Sequence, residues 1–168
     1  LEQLLQQASE VLATAKALYE EACRNAGTDA EPLSGPAQWS VAADRDGLLR
    51  EAARVGIAER KTALGDDITG LQELLLYGIK GTAAYADHAL ILGQEDPEVF
   101  AFFHEALDFL TREAPTVDAL LPLVLKCGAV NLTVMELLDK ANTTAYGHPA
   151  PTAVRVTPVS GKAILVSG

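Results

Sequence analysis

Aromatic side chains are scarce. Phe, Tyr and Trp make up only 5% of the 168 residues, with one Trp and one Met, so a core has to be built from Leu, Val, Ile and Ala. Cysteine is scarcer still. Cys23 and Cys127 stand far apart with no CxxC between them, whereas zinc and iron–sulfur sites made of four cysteines draw on closely spaced pairs. This chain alone therefore cannot supply such a site. A disulfide between the two is possible on paper. In the absence of a signal peptide the better reading is two reduced thiols packed as small apolar groups, in a cytoplasmic protein. Basic residues are outnumbered 13 to 23, which leaves a net charge of −10. No Lys or Arg cluster breaks that excess, so phosphate backbones are repelled and nucleic acid is excluded as a partner. No apolar run approaches the ~18 residues that a membrane span needs, so no membrane partner is expected either. Wholesale disorder is excluded too, because 49% of the residues are hydrophobic and 21% charged, an ordinary globular balance.

What is present is helical periodicity. Leu1, Leu4, Leu5, Ala8, Val11, Leu12, Ala15, Leu18, Tyr19 and Ala22 form one apolar stripe close to a coiled-coil seam, with Gln, Glu and Lys opposite. Gly27 is a natural stop. Residues 28–40 carry two Pro and one Gly and read as a loop, pinned to the bundle by Trp39. A helix follows from about Asp44 to Val55 with Leu48, Leu49, Ala52 and Ala53 inward. Gly65 then breaks the chain, and a capping carboxylate from Asp66-Asp67 opens a long helix to about Leu92. Its buried stripe is Ile68, Leu71, Leu75, Ile79, Thr82, Ala86 and Ala89. Gly70, Gly78 and Gly81 lie within it, each costing about 1 kcal/mol relative to Ala. They mark a close approach of another helix or, alternatively, a ligand against the bare surface.

Asp96-Pro97-Glu98 is a strong helix start, and that helix runs to about Glu113. Thr116 caps another from Val117 to Lys126, with Leu120, Leu121, Val124 and Leu125 inward; Gly128 interrupts, and a last helix carries Leu132, Met135, Leu137 and Leu138. The fold class is thus mainly α, a bundle of about six helices. At 142–152 the texture turns to turn-formers, and Val154, Val156 and Val159 then alternate with polar residues. Gly161-Lys162 makes a turn into Ala163-Ile164-Leu165-Val166, a short apolar run that opens into Ser167-Gly168 as a buried parallel strand does. The chain divides into a helical domain, 1–149, and the beginning of a truncated α/β domain, 150–168. It opens inside a helical pattern with no Met and stops just after an apolar strand, so both ends read as cut from something longer.

Chemistry is hard to find. The positions three before His88 and His104 are Tyr85 and Ala101, so the Glu-x-x-His signature of di-iron bundles is missing. Asp87-His88 and His104-Glu105 are neighbours about 100° apart on a helix and form no dyad. His148, in the rigid Tyr146-Gly147-His148-Pro149 loop at the domain junction, is the most site-like of the three. Gly161-Lys162 fails as a phosphate loop, since position 156 is Val and position 163 is Ala. No residue of the isolated chain qualifies as catalytic, cofactor-binding or metal-binding.

The segments LLLYGIKGTAAYADHALILGQ (74–94), AYGHPAPT (145–152) and GKAILVSG (161–168) resemble the hybrid cluster proteins, also called hydroxylamine reductases. The resemblance extends from about Gly65 to Gly168, while 1–64 match only in helical character. It implies an architecture similar to carbon monoxide dehydrogenases, with a helical domain followed by two Rossmann-like domains. It implies one cubane iron–sulfur cluster, one hybrid iron–sulfur–oxygen cluster, and reduction of hydroxylamine to ammonia and water, with nitric oxide as a further substrate. The implied partners are the remaining domains of the parent chain, hydroxylamine and an electron-donor protein. The family's N-terminal cysteine motif has no counterpart here, and the chain stops before the first histidine expected at the hybrid cluster. No family ligand therefore falls on a residue of this chain, and its implied role is that of a helical scaffold without cofactor. The alternative is a stand-alone helical interaction module; a di-iron bundle is disfavoured by the missing Glu-x-x-His pairs.

Overall fold

A computed structural model describes residues 2–112, 115–158 and 160–164. Among them, six α-helices follow in order: α1 Glu2–Ala26, α2 Arg45–Val55, α3 Ile57–Leu64, α4 Asp66–Ile91, α5 Pro97–Leu110 and α6 Val117–Tyr146. A 3-10 turn at Gly35–Gln38 lies between α1 and α2. The mainly α fold class is as the periodicity predicts, but only α4, α5 and α6 build a common core.

Two strong caps start that core. Asp96 accepts from the Glu98 amide at 2.9 Å, ahead of Pro97 at the first helical position. Thr116 Oγ1 accepts from the Ala119 amide at 3.3 Å. Both satisfy amides that a helix start leaves unpaired. α5 turns the chain back, so α4 and α6 run parallel and pack directly on each other, with α5 antiparallel to both. The core interleaves Leu75 and Ile79 of α4, Phe102, Ala106 and Phe109 of α5, and Leu120, Leu123 and Cys127 of α6. Ala86, Val99 and Val134 continue it toward the other end. Lys126 caps one edge by pairing with Glu105 while its ammonium lies 5.8 Å from the centre of the Phe102 ring.

α6 corrects the expectation of two helices broken at Gly128. It is continuous for 30 residues, with Pro122 inside it. An interior Gly costs about 1 kcal/mol, and Pro removes one backbone hydrogen bond, here to the Asp118 carbonyl. Buried contacts with α4 and α5 on both sides of these positions offset the cost. The turn-formers 142–146 are carried into the helix as well, and Gly147, at φ +80°, ends it. As one helix, α6 contains an 18-residue window of mean hydropathy 1.6, long and apolar enough by composition to cross a membrane. It packs into the bundle through one stripe, Leu120, Leu123, Cys127, Val134 and Ala141, while only 22% of that window is buried. Leu121 and Leu125, expected inward, are exposed.

The first third differs. α1 ends at Gly27 as predicted, yet it buries nothing fully: Leu4, Val11 and Leu18 are 65%, 69% and 61% exposed. In α2, Asp44 caps through a 2.6 Å bond from the Gly47 amide, but Leu49, Ala52 and Ala53 face outward and Leu48 is only half-buried. Trp39 does pin its loop, donating from Nε1 to Glu51 at 3.3 Å. α3 has no counterpart in the sequence reading; its weak amphipathicity leaves no stripe to read. It is held to α4 by Arg60, which pairs with Glu73 and reaches Gln72 Oε1 at 3.4 Å. The cap of α4 is also corrected. Gly65 stands at its N-cap without a side-chain bond, and Asp66 instead pairs with Lys61 at 3.1 Å.

Between Gly147 and Ile164 the described residues form no strand, and Val154, Val156 and Ile164 are exposed. Val159, Leu165–Gly168 and the expected helix end at Glu113 lie outside the described residues. A lone short segment has no neighbour to accept its ladder hydrogen bonds.

Candidate functional site

The glycines of α4 locate the most distinctive surface. Gly78 meets α6 directly: a Cβ there would lie 2.8 Å from Cys127 Sγ. The absence of a side chain is thus what lets the two parallel helices touch. One turn on, Thr82 Oγ1 donates to Asn131 Oδ1 at 3.2 Å, with Thr82 itself buried. Gly81 and Gly128 behave differently, since a Cβ on either would meet nothing within 4 Å. They floor a cleft of about 320 Å³ on the side of the α4–α6 pair away from α5, and Leu74, Tyr77 and Tyr85 form its rim. None of the residues lining it is charged, in a chain where a fifth of all residues are.

The reactive group in this cleft is the Cys127 thiol, 5% exposed. Burial pushes its pKa above the ordinary value of 9.0, and a hydrogen bond with Thr82 opposes that only in part. A thiol held protonated is neither a good nucleophile nor a ready metal ligand. Thr82 and Asn131 bond each other, and neither titrates as an acid or a base, so no acid–base pair is available. The arrangement is suited to packing and recognition.

The sequence-predicted histidines do not converge. His88 is exposed beside Tyr85, with ring centres 6.4 Å apart. His104 is exposed on α5, and His148 is exposed just past Gly147. Gly161-Lys162 lies in the exposed stretch after α6 and joins no strands among the described residues. No group of three or more His, Cys, Asp or Glu side chains fit for a metal ion occurs among the described residues. A second cleft, about 620 Å³, opens where Arg60, Gln72, Leu76, Leu107 and Leu110 meet, and there Arg60 Nε is buried without a partner among the described residues.

Tyr77, Tyr85 and Asn131 were not read as site residues from sequence, and Gly128 was read only as a helix break. The legible part of the signal was on α4, where Leu74, Gly78, Gly81 and Tyr85 recur at helical spacing. The α6 half was hidden by reading Gly128 as a break.

A family model described as Prismane/CO dehydrogenase matches residues 2–168. The chain belongs to that family. The match takes in 2–64, which sequence patterns identified only as helical. Among curated relatives, the chain is 53% identical to a hydroxylamine reductase of Rhodospirillum rubrum over 168 residues, all of this chain and 31% of that protein. It is 50% identical to one of Burkholderia lata over 165 residues, 98% of this chain and 30% of the relative. It is 47% identical to one of Acidithiobacillus ferrooxidans, with the same coverage. The chain therefore spans about 30% of the length of these curated relatives. The iron–sulfur clusters that the family implies do not fit the donors described here. Cys23 stands on α1, Cys127 is wedged against Gly78 with its thiol protonated, and neither has further ligands grouped around it.

Proposed function

We propose that this chain is the helical scaffold segment of an iron–sulfur oxidoreductase that reduces hydroxylamine to ammonia and water, with nitric oxide as a second substrate. Whole-chain identity of about 50% to proteins named hydroxylamine reductase carries the reading. The reaction consumes two electrons and two protons per hydroxylamine as the N–O bond breaks, giving one ammonia and one water. The cubane and hybrid iron–sulfur–oxygen clusters of the parent supply the redox chemistry, and an electron-donor protein supplies the electrons.

This chain's own residues do none of that. Its histidines are dispersed, its buried thiol is neutral, and its buried core is built by three packed helices. Its contribution is mechanical: a rigid, capped bundle against which the other domains settle. In this reading 1–149 is the helical domain, 150–168 enters the next domain and finds its sheet partners there, and the protein is cytoplasmic with neither nucleic-acid nor membrane partners.

Anaerobic cluster reconstitution, followed by iron analysis and a visible spectrum, tests the assignment. The chain alone is expected to remain colourless and to show no hydroxylamine-dependent oxidation of a reduced dye, whereas the Rhodospirillum rubrum reductase treated in parallel should become coloured, take up iron and oxidise the dye. Stoichiometric iron with dye oxidation in the chain alone would falsify the scaffold role.

A further inference from the structure

The bundle's cost sheet has a gap on one side of α4 and α6. Gly78 is accounted for by Cys127, but Gly81 and Gly128 contact nothing, although glycine in a helix interior is unfavourable. They open onto one cleft whose lining is uncharged. On its rim, Leu74, Tyr77 and Tyr85 are exposed by 43% to 62%, and α6 exposes Leu121, Leu125 and Leu132 as well. An apolar concentration of this kind on a strongly acidic chain marks a surface that something covers.

We propose that the α4–α6 cleft seats an apolar helix from the polypeptide that the hydroxylamine reductases carry outside the third matched by this chain. This inference rests on the scaffold reading above and names the surface through which it acts. Two observations select the occupant. The relatives extend over roughly three times the matched length, so a large body of chain has to pack against this segment. The cleft's lining is mainly apolar, and its polar groups are few: Thr82 and Asn131, which bond each other, and the Tyr77 and Tyr85 hydroxyls at the rim. An occupant must then satisfy its own backbone, which a helix does and a loop or single strand does not. The two bare glycines let that helix approach the parallel pair at backbone distance while Tyr77 and Tyr85 close over its flanks.

The test uses a chimaera in which residues 2–168 replace their counterpart in the Rhodospirillum rubrum reductase, with and without Gly81→Leu and Gly128→Leu together. Hydroxyl-radical footprinting of Tyr77 and Tyr85 is the principal readout. Both tyrosines are expected to be oxidised readily in the chain alone and about tenfold more slowly in the chimaera. The double leucine variant should melt no lower than the parent as an isolated chain, where the space is empty, yet lower the chimaera's melting temperature and restore tyrosine oxidation. A folded parental chimaera whose tyrosines are unprotected, or whose melting and footprint ignore the leucines, overturns the docking inference and leaves the scaffold reading standing. A parental chimaera that does not fold removes the scaffold reading and this inference with it. Protection that appears equally in the isolated chain at rising concentration assigns the cleft to a second copy and overturns the inference alone.

Discussion

Residues 2–64 and residues 66–146 are both amphipathic helical sequence, yet the hydrophobic residues that reach full burial all lie in the second region. α1 has a heptad-like stripe as regular as any in the chain, and its Leu4, Val11 and Leu18 remain largely in water. α4 is flawed by three glycines and α6 by a glycine and a proline, and these are the helices at the centre of the core. Regular amphipathicity makes a helix able to pack. Whether it packs depends on a complementary face being within reach, and only the α4-turn-α5-turn-α6 sequence supplies one locally.

The sharpest way to break this comparison is to truncate a large side chain in each region. Phe102→Ala should destabilise the chain by about 3–5 kcal/mol, because it leaves a cavity among Leu75, Leu120 and Cys127. Leu18→Ala should stay within about 0.5 kcal/mol. Urea melts followed by circular dichroism give both values, and equal effects would mean that α1 belongs to the core after all.

A smaller effect separates two glycines three residues apart on the same helix. Gly78→Leu drives a side chain into Cys127 and should cost about 1–3 kcal/mol. Gly81→Ala fills open space in a helix interior and should raise stability by about 0.5–1 kcal/mol in the isolated chain. Thermal melts of the two variants should therefore shift in opposite directions. A shared downward shift would show that Gly81 is as closely packed as Gly78.

The weakest expected effect is a pH dependence confined to the core region. The folded-state pKa of Cys127 is raised by burial. The thiol's contribution to stability is therefore complete below the unfolded-state value and is lost as pH rises through it toward the folded one, because the unfolded chain releases the proton first. Stability should decline above about pH 8.5–9, and less steeply in Cys127→Ala than in the parent. Cys23, half-exposed on α1, should react with a thiol reagent in the native chain well before Cys127, and both should react with it on unfolding without reductant. An identical alkaline slope in Cys127→Ala would sever the thiol from that decline.

Much of the architecture was legible in local chemistry. The helix start near Asp44, the caps at Asp96 and Thr116, the stop at Gly27 and the stripe Leu75-Ile79-Thr82-Ala86-Ala89 are each set by one turn of backbone and its immediate side chains, so sequence spacing determined them. The family, too, was readable from three short segments. Long-range effects were not readable. Gly128 carries the same intrinsic penalty whether a helix ends there or continues, and the packing of α6 against α4 and α5 decided that it continues. Leu121 and Leu125 have the same hydropathy as Leu120 and Leu123, and only the angle at which α6 meets its neighbours decided which pair is buried. The candidate cleft belongs to the same class. Gly78 and Gly81 looked alike as residues, but the parallel placement of α6, set by the length and direction of α5, put Cys127 against one and left the other bare.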